Sequence, residues 1–142
     1  MKTAALCLPI DETNRRVLLG LKRRGFGQGK LTGLGGKVDP GEDPRAAAAR
    51  ELHEEAGLLA DPASLDEAAR LTFCFPSNPD WNLRMHVFIV RAWRGRPVGS
   101  EEIAPEWHAV DALPFERMWD DGRLWLPQAL AHHYARLYGT RT

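Results

Sequence analysis

The stretch from Asp43 to Gly57 constrains the fold of this chain more than any other. Asp43 suits a helix N-cap, Pro44 the first helical position and Gly57 the residue past the end, so the spacing predicts a helix over Pro44–Ala56. Ala49, Leu52 and Ala56 fall on one side of it, and the run Ala46 to Ala49 is all alanine. A flank this small lets a helix lie close against a sheet. Glu51, Glu54 and Glu55 are three and four positions apart and share another side, spanning about a quarter of the circumference. One helix therefore has to cover a sheet and gather carboxylates at the same time.

Strands to pair with it are legible. Thr3–Leu8 is short and apolar, and Arg16–Lys22 carries Val17, Leu18, Leu19 and Leu21. Leu71–Phe75 alternates Leu71, Phe73 and Phe75 with Thr72 and Cys74. Met85–Trp93 is β-branched and aromatic, which suits a central strand, and Trp107–Val110 adds a shorter fifth. A second helix is expected over Pro127–Tyr138, opened by its proline and closed by Gly139, packing through Leu130, Tyr134, Leu137 and Tyr138. These elements predict an α+β domain with helices covering the faces of a mixed sheet. At 142 residues, without repeats or a linker-like segment, the chain is expected to form a single domain over 1–142.

Lys plus Arg and Asp plus Glu both number 19, so net charge is zero, which argues against coating nucleic acid or an anionic membrane. A small anion needs only a local cluster of cations. The two cysteines, Cys7 and Cys74, form no disulfide or zinc pattern and read as small core residues. The apolar start ends at Pro9 and Asp11, too soon for a secretory signal, and no stretch approaches a membrane span. A cytoplasmic protein follows as the expectation, a monomer or weak dimer with no polymer partner. Among the histidines, His53 lies off the carboxylate face, His86 opens a buried strand, and His132 and His133 lie late in the second helix.

Three carboxylates on one helix face repel one another, and a hard divalent cation removes that repulsion. The preceding loop, with Gly33, Gly35, Gly36 and Gly41, can turn tightly and bring a backbone carbonyl to the same ion. Gly36, five residues, Glu42, seven residues, Arg50-Glu51-Leu52, one residue, Glu54-Glu55, one residue, Gly57-Leu58 resembles the complete Nudix box. The resemblance implies an α/β/α sandwich and hydrolysis of a nucleoside diphosphate linked to another group, with Mg²⁺ or Mn²⁺. It implies Glu51, Glu54, Glu55 and the Gly35 carbonyl as metal ligands, one glutamate also serving the attacking water. Arg50 and Glu42 would hold the helix and its carboxylates in place. Glu102 is the candidate for a carboxylate from outside the box, and Lys22 and Lys37 are the candidate phosphate cations.

Beyond the box, residues 16–38, 85–103 and 113–127 are similar to the oxidised-purine triphosphatases related to MutT. That likeness implies an aromatic purine pocket and release of a monophosphate and pyrophosphate. Phe26, Phe73 and Trp119 offer stacking surface and Asp121 can read a base edge, with Asp120 beside it. Thr32, Leu34 and Gly36 complete the expected substrate contacts. Thr32 stands where that group has Asn, and Gly122 where it has a second Asp. An 8-oxo-guanine triphosphate is the first expected substrate, with a broader hydrolase of ordinary triphosphates or dinucleoside polyphosphates as the alternative. A non-catalytic nucleotide sensor is the alternative from another class, distinguished by loss of box carboxylates, and here none is lost.

Overall fold

The computed structural model describes residues 1–138. Its strands are β1 (Lys2–Asp11), β2 (Arg16–Lys22), β3 (Leu31–Thr32), β4 (Leu34–Lys37), β5 (Asp66–Phe73), β6 (Leu83–Val90) and β7 (Ile103–Ala109). The helices are α1 (Pro44–Ala56) and α2 (Gly122–Tyr138). β1 lies at the centre, parallel to β6 along its length and antiparallel to β4 near its start and to β2 at its end. β5 closes one side antiparallel to β6, while β3 and β7 both pair with β2. The sheet is therefore mixed.

Helices cover both faces, which is why β1 reads as an unbroken apolar run. Leu6, Leu8 and Ile10 join Met85, Val87 and Ile89 against Trp125, Leu126, Ala129 and Leu130 of α2. The alternate residues Ala5 and Cys7 join Leu18, Leu34, Phe88 and Val90 against Ala47, Ala48, Leu52 and Ala56 of α1. α1 has the expected bounds. Gly57 ends it at φ 72°, donating its N–H to the His53 carbonyl, while Asp43 stands at the cap position without a side-chain cap bond.

α2 begins at Gly122, not at Pro127, which lies inside it. An interior proline costs about 3 kcal/mol, whereas burying Trp125 and Leu126 in the turn before it contributes roughly 3–6 kcal/mol. Packing therefore extends the helix backward, and its expected close at Gly139 lies outside the described residues. β5 starts five residues before the expected Leu71, in an acidic stretch that periodicity does not mark as a strand. Glu67 there is matched by Arg70 and His86, and a bulge between Glu67 and Ala69 absorbs the irregularity. β7 likewise starts earlier than Trp107, and it tolerates Pro105 because it pairs on one side only, with β2. Of the cysteines, Cys7 is core as expected but Cys74 is exposed, just past the end of β5.

Candidate active site

The glycine-rich segment, expected to be a loop, forms two short strands. Gly35 sits opposite Leu6 of β1, and a Cβ at that position would lie 1.9 Å from the Ala5 carbonyl oxygen. A Cβ on Gly36 would lie 2.9 Å from the Glu51 carboxyl carbon. Only glycine lets β4 run between β1 and the carboxylate face of α1. Glu55 exploits the same approach, its Oε1 accepting the Gly35 N–H at 2.7 Å.

The three box glutamates do not share one environment. Burial, reinforced by the Glu51 charge, pushes Glu55 up to about 8. Burial also raises Glu51, opposed by the Arg50 guanidinium at 3.0 Å, while Glu54 is mostly exposed and 3.4 Å from Arg50. Arg50 grips both oxygens of Glu42 at 3.0 Å through Nε and Nη2, and Glu42 accepts the Asp39 N–H at 3.0 Å. This hydrogen bonding holds the Glu42 carboxyl below its ordinary range. One guanidinium thus ties the β4–α1 connection to the first two glutamates.

Lys22 and Glu102 join the group. Glu102 lies 2.7 Å from Arg24 and 3.6 Å from Lys22, and the charges of both Lys22 and Glu102 act on Glu55. Arg24, unforeseen from sequence, holds Glu102 below the ordinary carboxylate range. Among the described residues no three Asp, Glu, His or Cys side chains converge as a ready metal cage. Arg50 holds Glu51 and Glu54, while Glu55 turns in to Gly35. The donor chemistry nevertheless fits a hard divalent ion. Every donor is oxygen, and a cation would offset the burial and the Glu51 repulsion that together raise Glu55.

Across β1 from this cluster, on the α2 side, opens a cleft of about 420 Å³. Leu6, the strand partner of Gly35, lines it, so cleft and carboxylates meet on one rung of the sheet. Its other walls are Phe26, Leu31, Thr32, Phe73, Phe75, Leu83, Met85, Met118, Trp119, Asp121, Gly122 and Trp125. Phe26, 89% exposed, stacks on Trp119 with ring centres 5.4 Å apart and planes 17° from parallel. Thr32 and Asp121 supply the side-chain oxygens of the lining, and Trp125 donates its indole N–H to Asp121 Oδ2 at 2.9 Å. That pair is four residues apart, a signal legible only once α2 is known to begin at Gly122.

Four expected substrate contacts fall elsewhere. Leu34 is wholly buried on the α1 side, on the sheet face opposite the cleft, because it shares the face of its partner Cys7. Gly36 lies against Glu51 rather than the cleft, and Asp120 is exposed and does not line it. Lys37 is exposed at the end of β4 and borders a different cavity. A Cβ at Gly122 would lie 2.9 Å from the Met118 methyl, so that side chain would have to shift to admit a second acid there.

Residues 1–129 match the NUDIX domain family. The chain belongs to the Nudix family. It is 44% identical over 115 residues to an oxidized purine nucleoside triphosphate hydrolase of Danio rerio, covering 81% of this chain and 72% of that one. It is 36% identical over 84 residues to an 8-oxo-dGTP diphosphatase of Escherichia coli, covering 59% of this chain and 61% of that one. A crystal structure of a MutT Nudix hydrolase from Burkholderia pseudomallei superposes with a TM-score of 0.76 at 23% identity, over 89% of this chain and 96% of that one. The mixed sheet between two helices is the Nudix fold, and Nudix hydrolases depend on a divalent metal. No described helix is long and apolar enough to cross a membrane.

Proposed function

We propose that this Nudix protein hydrolyses purine nucleoside triphosphates, oxidised guanine triphosphates such as 8-oxo-dGTP foremost, to a monophosphate and pyrophosphate. The observation that carries this is the shared rung: Leu6 lines an apolar cleft of about 420 Å³ while its partner Gly35 holds Glu55. A base in the cleft places its phosphates over the carboxylate cluster.

The cleft favours a guanine-type edge. N1–H and the exocyclic amine present two donors, and Asp121, with Oδ2 fixed by Trp125, presents carboxylate acceptors. Oxidation at C8 turns N7 into a donor, which the Thr32 hydroxyl can accept. The names of the two curated relatives support the same substrate class.

Mg²⁺, with Mn²⁺ able to replace it, would be held by Glu51, Glu54, Glu55 and the Gly35 carbonyl, with Glu102 nearby. Bound there, it supplies charge neutralisation and an acidified water. Lys22 steadies a phosphate oxygen from the rim, and Arg50, anchored on Glu42, fixes the orientation of Glu51. The test is product analysis with 8-oxo-dGTP and Mg²⁺. Monophosphate plus pyrophosphate is expected; a diphosphate plus orthophosphate, or no turnover, would contradict the reading.

A further inference from the structure

Among the described residues, the Phe and Trp side chains that stay exposed are Phe26, Phe75, Trp81 and Trp119. They form two ring pairs, Phe26 with Trp119 and Phe75 with Trp81, and Phe26, Phe75 and Trp119 line the purine cleft. Trp81 does not line it. Its ring instead meets Phe75 edge to face, with centroids 5.9 Å apart and planes 78° from parallel, and is 61% exposed. An indole left so open adds little to the core, so its role lies with the ring it touches.

The sheet does not hold Phe75. The β5–β6 ladder ends at the Phe73–Leu83 pair, two residues short of it. The connection between the two strands fixes it instead. Phe75 donates its N–H to Asn82 Oδ1 at 2.7 Å, and its carbonyl accepts the Asn78 N–H at 2.9 Å. The Asn78 carbonyl accepts the Trp81 N–H at 3.0 Å, and Asn82 donates its own N–H to the Pro79 carbonyl at 3.0 Å. The backbones that carry the two rings are therefore tied to each other through Asn78 and Asn82. The ladder's last pair also stands level with Lys2 of β1, four residues before Leu6 and its partner Gly35. At about 3.3 Å per residue, Phe75 lies roughly 13 Å or more along the strand direction from the rung that holds Glu55.

We propose that Trp81 is a positioning residue for base recognition. By bracing Phe75 at the outer end of the cleft, it sets the affinity for the purine and leaves the phosphate chemistry at Glu55 untouched. This rests on the placement of the base in the cleft proposed above.

The test measures binding of 8-oxo-dGMP and dGMP by calorimetry, without metal, to the unsubstituted protein, W81A, W81F, F75A and W81A/F75A. Loss of an edge-to-face pair should weaken binding to W81A roughly three- to tenfold, while W81F, which keeps a ring against Phe75, stays within about twofold. In the F75A background W81A should change nothing further, because Trp81 acts through Phe75. Steady-state kinetics should show the same split, with KM for the triphosphate raised in W81A and kcat unchanged. Trp81 is exposed, so an unmoved melting temperature is expected as the control for the fold. Equal affinity in W81A and the unsubstituted protein, a further loss from W81A in the F75A background, or a fall in kcat at constant KM overturns the inference and leaves the hydrolase reading intact. Failure of the unsubstituted protein to bind either monophosphate overturns the placement of the base, and the role of Trp81 with it.

Discussion

Replacing Asp121 by Asn should change which purine edge the cleft accepts. Trp125 donates to Asp121 Oδ2 at 2.9 Å, and only an oxygen can accept that N–H. In the variant the amide oxygen therefore takes the indole, and the NH₂ group occupies the place of Oδ1, facing the base. A carboxylate that accepts from guanine N1–H and its amine becomes a donor opposed to two donors. A hydrogen bond to a charged group is worth about 1.5–3 kcal/mol, so kcat/KM for 8-oxo-dGTP should fall roughly 10- to 150-fold. An adenine-type triphosphate, whose N1 is an acceptor, should lose far less or gain. The assay is kcat/KM for both substrates, with the melting temperature as a control, because the Trp125 bond survives the change. Equal losses on the two substrates, or no loss on either, would refute the assignment of Asp121 as the edge reader.

Arg50→Gln removes the tie between Glu42, Glu51 and Glu54, and kcat should fall roughly 10- to 100-fold with melting temperature nearly unchanged, as measured by steady-state kinetics alongside thermal unfolding. Gly35→Ala would set a Cβ 1.9 Å from the Ala5 carbonyl, so β4 must leave β1; a loss of about 3 kcal/mol or more is expected by urea unfolding. Glu55 is raised to about 8 from an ordinary carboxylate value near 4.5, so the folded metal-free protein holds a proton that the unfolded chain has released. Its stability should therefore decline as pH rises from about 4.5 to about 8 and level off above. Added Mg²⁺ should restore more melting temperature at pH 8 than at pH 5, and a response independent of pH would count against the buried like-charge pair.

Local signals disclosed α1 to the residue, because Pro44, Gly57 and the small flank all act within the helix itself. β2 was equally plain. What stayed hidden depends on tertiary partners. The segment Asp66–Arg70 is too acidic to read as a strand until His86 and Arg70 stand beside Glu67. α2 starts ahead of its proline because Trp125 and Leu126 find a core across the sheet. At the site, the box places Glu51 and Glu55 by helical spacing, but the sharp difference between them comes from the deeper burial of Glu55, which outweighs its bond from Gly35. Leu34, expected at the substrate, is turned to the opposite face by strand alternation, which shows only when residues 34–37 are known to be β4. The Arg24 clamp on Glu102 spans 78 positions and leaves no local mark.

We propose that the cleft and the carboxylate cluster act together on an oxidised purine triphosphate. The most direct measurement is kcat/KM with Mg²⁺ for 8-oxo-dGTP against dGTP, repeated with Glu55→Gln. A preference for the oxidised base above about tenfold is expected, more than one hydrogen bond's differential of about 1.4 kcal/mol, with the variant slowed by orders of magnitude on both substrates. A preference below about tenfold would contradict selection of the oxidised base, and full turnover by Glu55→Gln would contradict the site itself.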